Sequence, residues 1–172
     1  MNPEDKPLEI ERKYIIVRPT AEQLSAISGV SRTEIVQTYL SVPENGARRR
    51  VRKRGTAEAG YTYTYTEKTD VSFGERIEIE KEITEAEYER FLEESSPDRP
   101  PVEKERYVFD YDGQLFELDV YPFSSEYASL EIELDSIDTP VRLPDFLTVL
   151  RDVTGDKRYN NSTLAKTRSI EL

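Results

Sequence analysis

Charged residues recur at strand spacing along most of this chain, and the charges at successive positions mostly share a sign. Glu9, Glu11 and Lys13 share one side of a two-residue alternation over residues 8–13. Arg48, Arg50, Arg52 and Arg54 do so over residues 48–54, and Arg76, Glu78 and Glu80 do so opposite Ile77 and Ile79. Lys104 and Arg106 face away from Tyr107 and Phe109. Glu117 and Asp119 oppose Phe116, Leu118 and Val120, and Glu131 and Glu133 oppose Ile132 and Leu134. Residues 61–68 add Thr62, Thr64, Thr66 and Lys68 on one face. Alternation of this period is the mark of a strand with two unlike faces.

Like charges at i and i+2 on one strand stand about 7 Å apart, given a rise of about 3.3 Å per residue. They repel unless opposite charge lies between them. A single acidic pair is ordinarily a solvated face, and the run 48–54 alone reads as a patch for an acidic partner. The constraint comes from repetition: eight carboxylates and nine bases stand on such stripes. A closed sheet turning the stripes inward satisfies them together. The carboxylates would gather divalent cations and the Arg and Lys residues would gather phosphate oxygens, Arg bidentately. Cations and phosphates together describe a metal–polyphosphate site.

Composition narrows the chemistry further. The 172 residues hold no Cys and no His. That removes thiol nucleophiles, Ser-His-Asp catalysis, disulfides and zinc sites of thiolate or imidazole. Any metal must be a hard cation on oxygen ligands. The net charge of −11 repels phosphate backbones, so no nucleic-acid partner is expected. No apolar run approaches the roughly 20 residues that span a bilayer, and the polar start Met1-Asn2-Pro3-Glu4-Asp5-Lys6-Pro7 lacks a signal-peptide core. A cytoplasmic protein with no membrane partner is expected.

The length favours a single domain over residues 1–172. Turns are expected at 43–46, 95–98, 112–113 and 136–140. Helices are expected at 20–28, at 84 onward from the capping box Thr84-Glu85-Ala86-Glu87, and at 144–153 behind Pro144. Seven strands with three helices predict an α+β fold with a mostly antiparallel sheet.

Glu9-Ile10-Glu11-Arg12-Lys13 resembles the ExExK signature of the CYTH superfamily, the triphosphate tunnel metalloenzymes. The order downstream is similar too. Gln37-Thr38-Tyr39-Leu40 looks like the family's second strand, Arg50-Val51-Arg52 its RxR strand and Thr66-Glu67-Lys68 its TxK strand. Arg76-Ile77-Glu78-Ile79-Glu80 resembles its RxExE strand and Lys104-Glu105-Arg106 its KxR strand. Glu117-Leu118-Asp119 and Glu131-Ile132-Glu133 resemble its later acidic strands, and residues 152–161 its closing segment. Glu67 departs from the apolar residue expected before the lysine.

The resemblance covers residues 8–166 and implies an eight-stranded antiparallel barrel with a charged interior and helices outside, residues 35–41 supplying the eighth strand. It implies metal-dependent hydrolysis of a triphosphate, inorganic triphosphate first, with Mg²⁺ or Mn²⁺ as cofactor. By position, Arg50, Arg52, Lys68, Arg76, Lys104 and Arg106 would bind the phosphates. Glu9, Glu11, Asp119, Glu131 and Glu133 would bind metal, with Glu131, Glu133 and Lys13 in catalytic roles and Glu78, Glu80 and Glu117 as further interior carboxylates. The same resemblance leaves open an adenylate cyclase of the family's fourth class, a thiamine triphosphatase, and a non-catalytic polyphosphate- or nucleotide-binding module. Outer helices leave a homodimer open as well.

Overall fold

The computed structural model describes residues 10–72 and 75–172, the side chains of 71–76 excepted. Its strands are β1 (Ile10–Val17), β2 (Ser31–Tyr39), β3 (Arg48–Thr56), β4 (Gly60–Ser72), β5 (Glu75–Ile83), β6 (Val102–Tyr111), β7 (Gln114–Val120), β8 (Tyr127–Leu134) and β9 (Val149–Asp152). The helices are α1 (Ala21–Ser25), α2 (Glu85–Leu92) and α3 (Asn161–Thr167). The pairings β1–β8, β1–β9, β2–β3, β3–β4, β4–β5, β6–β7 and β7–β8 are antiparallel, so the α+β expectation holds. Contacts divide the chain into two compact units. One holds residues 1–32, 105–159 and 169–172; the other holds 33–104 and 160–168.

In the first unit the strand order is β6-β7-β8-β1-β9. The pairings Phe116↔Ile132 and Leu118↔Leu130 align the apolar residues of β7 and β8. Tyr14↔Leu130 and Ile10↔Leu134 continue that face onto β1. With Leu24 of α1 and Phe109 of β6 these residues form one buried cluster. Burial of such a face is the main stabilising term for the sheet. The charged residues, one position out of phase, are left together on the other face. The β6–β7 hairpin turns at Asp112 and Gly113, both at positive φ, as the Asp-Gly pair requires.

In the second unit the order is β5-β4-β3-β2. Its apolar face carries Val51, Tyr65 and Ile83, covered by Tyr88, Phe91 and Leu92 of α2. Tyr63 meets Tyr88 with ring centroids 4.9 Å apart, and Tyr65 stacks on Phe91 at 4.8 Å. The α2 N-terminus is the expected capping box: the Thr84 hydroxyl accepts from Glu87 N–H, and the Glu87 carboxylate accepts from Thr84 N–H. Thr20 and Gln23 cap α1 in the same way. At Gly55 a Cβ would stand 2.0 Å from the Gly60 carbonyl oxygen, so only glycine lets the β3–β4 hairpin close there.

Three expectations are corrected. β1 runs on past Lys13 through Tyr14-Ile15-Ile16-Val17, because Ile15 and Ile16 are both buried. Residues 144–153 do not form a helix. Pro144 starts only a turn, closed by Leu147 N–H on the Pro144 carbonyl, and Val149–Asp152 becomes β9. That edge strand pairs Tyr14 with Asp152 and is clamped by the Arg12–Asp152 ion pair at 2.7 Å. The third helix lies later, at α3, where the Asn160 side chain accepts from Thr163 N–H at 2.8 Å. Among the described residues the strands therefore number nine, β9 joining the eight expected.

Candidate functional site

The charged face of the first unit is laid out by register. Glu11 stands opposite Glu133, and Lys13 opposite Glu131. Glu131 in turn stands opposite Glu117, and Asp119 opposite Ser129. Arg106 stands opposite Asp119. Four strands thus bring Glu11, Lys13, Arg106, Glu117, Asp119, Glu131 and Glu133 onto one surface.

Lys13 and Arg106 are each held by carboxylates. Lys13 Nζ lies 3.1 Å from a Glu131 oxygen and donates to the Tyr159 carbonyl at 2.7 Å. Arg106 donates from Nε and Nη2 to the two Asp119 oxygens at 2.8 and 2.9 Å, and its Nη1 lies 3.0 Å from Glu117. Asp119 is 1% exposed and Arg106 8%. Burial opposes the Arg106 charge, but the hydrogen bonds and charge of Asp119, with Glu117 and Glu131 beyond, raise its pKa overall.

Glu11 shows what the cations leave unbalanced. Its pKa is raised, first by partial burial and next by the Glu131 carboxylate; Lys13 pulls it down, and Glu133 and Glu117 push it up again. Negative charge is in local excess around Glu11. A hard divalent cation would relieve that excess, and every candidate ligand here is a carboxylate oxygen, so the residues fit such an ion in charge and donor type. No three acidic side chains among the described residues are already gathered into a metal-binding group. Glu9, the remaining expected ligand, lies outside the described residues. Asp119 has both oxygens on Arg106.

The second unit has a different face. Arg48, Arg50, Arg52 and Arg54 stand opposite Lys68, Thr66, Thr64 and Thr62 of β4. Lys68 and Thr66 stand opposite Glu78 and Glu80 of β5. Tyr39 and Gln37 of β2 stand opposite Arg50 and Arg52. Arg52 donates from Nε at 3.0 Å and Nη2 at 2.6 Å to the Gln37 amide oxygen, and the Gln37 amide nitrogen donates to the Tyr39 hydroxyl at 2.6 Å. Arg99 lies over the Tyr39 ring, 5.8 Å from its centroid. The buried Nε atoms of Arg50 and Arg99 have no hydrogen-bond partner. Burial raises the Tyr39 pKa, while the Gln37 hydrogen bond and the charges of Arg50, Arg52 and Arg99 pull it down.

The expected residues thus divide between two surfaces. Lys68 is in the expected register, on the face of Arg48 and Arg50, because Glu67 turns to the other face and accepts from the Tyr65 hydroxyl at 3.0 Å. Lys104 is buried, 3% exposed, and shares its strand face with Arg106. Arg76 lies on β5, its side chain outside the description. Sequence reasoning missed Arg99 as a neighbour of this surface and Tyr159 as a partner of Lys13. Arg99 sits in a loop, where no periodicity points. The Tyr159 contact is through a backbone carbonyl, which no residue type announces.

Known proteins resemble this chain over almost all of it. A family model described as the CYTH domain matches residues 7–152. A protein named inorganic triphosphatase from Acetivibrio thermocellus is 33% identical over 159 residues, 92% of this chain and 93% of its own. Another of that name from Nitrosomonas europaea is 33% identical over 159 residues, 91% of this chain and 96% of its own. The crystal structure of the inorganic triphosphatase NE1496 superposes with a TM-score of 0.66 at 30% identity, covering 92% of this chain and 95% of that one.

Proposed function

We propose that this chain, which belongs to the CYTH family, is an inorganic triphosphatase that splits triphosphate into pyrophosphate and phosphate with Mg²⁺ or Mn²⁺. The observation that carries the reading is the pair of charged strand faces, one rich in carboxylates around Lys13 and one an arginine row. Relatives 33% identical over nine-tenths of the chain and named inorganic triphosphatase support it. We take residues 1–172 as one working domain, since the family match runs through both units. No helix among the described residues is long and apolar enough to cross a membrane, and a cytoplasmic setting, where triphosphates are made, agrees with this reading.

Arg50, Arg52, Lys68 and Arg76, with Lys104 and Arg106, are assigned to the phosphate oxygens. Phosphoryl transfer needs mostly positioning and charge neutralisation, which such a set supplies. Glu9, Glu11, Glu131 and Glu133 are assigned to the divalent ion. When bound, that ion neutralises phosphate charge and polarises the reacting groups. Asp119 is assigned to holding Arg106, whose guanidinium it already grips with both oxygens. Water attacks the terminal phosphorus in line, its proton passing to Glu131 or Glu133, and the bond to the bridging oxygen breaks so that pyrophosphate leaves. Lys13, held by Glu131 and the Tyr159 carbonyl, is assigned to the charge on the departing oxygen.

Phosphate release from inorganic triphosphate, ATP and thiamine triphosphate, with Mg²⁺ or Mn²⁺ and with a chelator, tests the reading. Chelator-sensitive release from triphosphate well above that from the other two is expected. Cyclic AMP formed from ATP without phosphate release from triphosphate would overturn it.

A further inference from the structure

Gln37 lies at the centre of the arginine face, yet it is neither charged nor placed to react. It is wholly buried, 0% exposed, in the middle of β2. A buried amide has to find partners for its oxygen and its nitrogen. The Gln37 oxygen accepts two bonds from Arg52, at 3.0 and 2.6 Å, and its nitrogen donates to the Tyr39 hydroxyl at 2.6 Å. The carbonyl therefore takes Nε and one terminal nitrogen of the guanidinium on a single edge. That fixes the plane of the Arg52 guanidinium. The amide itself is fixed by Tyr39, so the chain of bonds is anchored at both ends.

The contrast with Arg106 gives this arrangement its meaning. Arg106 is gripped on the corresponding edge by the Asp119 carboxylate. Gln37 engages the same two nitrogens of Arg52 with one neutral oxygen, where Asp119 uses two charged ones. A carboxylate at this position would compete with an anionic ligand for the guanidinium, whereas a neutral amide orients the group without adding a negative charge of its own.

We propose that Gln37 is a positioning residue that pre-orients Arg52 for a phosphate group of the substrate, a role that rests on the triphosphatase reading above. Substituting it lowers affinity for triphosphate through Arg52 rather than through the fold at large.

The test is a double-mutant cycle on the full chain, following KM and kcat for inorganic triphosphate with Mg²⁺. The variants are Gln37→Met, nearly the same shape without hydrogen-bonding groups, Arg52→Ala, and both together. Gln37→Met is expected to raise KM about tenfold with kcat changed less than about twofold, and to add less than about twofold on the Arg52→Ala background. A merely structural role predicts the same factor on both backgrounds, and that result overturns the proposal. If Gln37→Met does not fold, Gln37→Glu replaces it. That variant keeps an acceptor for Arg52 but seats a negative charge on it, so KM is again expected to rise. A KM within about twofold of wild type in whichever variant folds overturns the proposal as well. An unchanged KM in Arg52→Ala defeats instead the assignment of Arg52 to phosphate, and the proposal falls with it.

Discussion

The two units solve the same problem, a sheet face crowded with charge, in opposite ways. In the first, each cation is matched to acid: Lys13 with Glu131, and Arg106 with Asp119 and Glu117. In the second, Arg48 is paired with Asp70, but Arg50 and Arg52 of β3 stand in register with neutral groups. Arg50 faces Tyr39 and Thr66, and Arg52 faces Gln37 and Thr64. A matched buried pair is expensive to break, because removing one partner strands the other charge in a poor solvent. A charge flanked by amides, hydroxyls and phenols is less costly to remove and is better suited to meeting an anion. One face is thereby locked together by its own charges, whereas on the other Arg50 and Arg52 stand beside neutral residues of β2 and β4.

The largest expected effect is at the locked pair. Asp119→Ala leaves the buried Arg106 with Glu117 alone and should cost about 3–5 kcal/mol. For a chain of 172 residues that lowers Tm by about 10 °C, read by thermal denaturation. A Tm within about 2 °C of wild type would show that the pair is not the lock described here.

Arg52→Ala should do the reverse. Its Tm falls by no more than about 4 °C, the cost of one buried hydrogen-bonded group. Its KM for triphosphate rises about 10- to 100-fold, as expected for a lost charge-assisted contact. Steady-state kinetics beside a melting curve separate the two faces. A large Tm loss with unchanged KM would erase the distinction.

The smallest effect concerns Glu11. Its folded pKa is raised above the ordinary 4.5. The folded state therefore holds the proton more tightly than the unfolded state does. Below the unfolded pKa both states are protonated and Glu11 costs nothing. As pH rises through and beyond the folded pKa, the ionised carboxylate destabilises the fold. Glu11→Gln should accordingly raise Tm at pH 7 by about 1 °C, small because the residue is exposed. That gain should vanish near pH 4. A gain that persisted at low pH would mean that packing, and not repulsion, was relieved.

Much of this was readable in the residues. Alternation placed seven strands, since a one-residue slip would have buried charge and exposed Phe116, Leu118 and Ile132, and the family resemblance supplied β2. The stripes told which residues share a face, and the Thr84 capping box told where α2 begins. β9 escaped because Pro144, Phe146, Leu147 and Leu150 carry a helix-like pattern. Its extended form is set by a partner, the free edge of β1, which no local pattern encodes. α3 escaped because Asn161, Ser162 and Thr163 are poor helix formers and only the Asn160 cap marks its start. In the site, charge was legible and neutrality was not. Gln37 looked like an ordinary strand residue, and only its bonds to Arg52 and Tyr39 set it apart.

Binding of inorganic triphosphate without metal, measured by calorimetry in chelator, tests the division of labour most directly. The variants to compare are Glu11→Gln/Glu133→Gln, opposite one another in register, and Arg50→Ala/Arg52→Ala. The account predicts that the first binds triphosphate at least as tightly as wild type, since only repulsion is removed, and that the second loses binding by 10-fold or more, roughly. Loss of metal-free binding in the acidic variant, or full binding in the arginine variant, would contradict it.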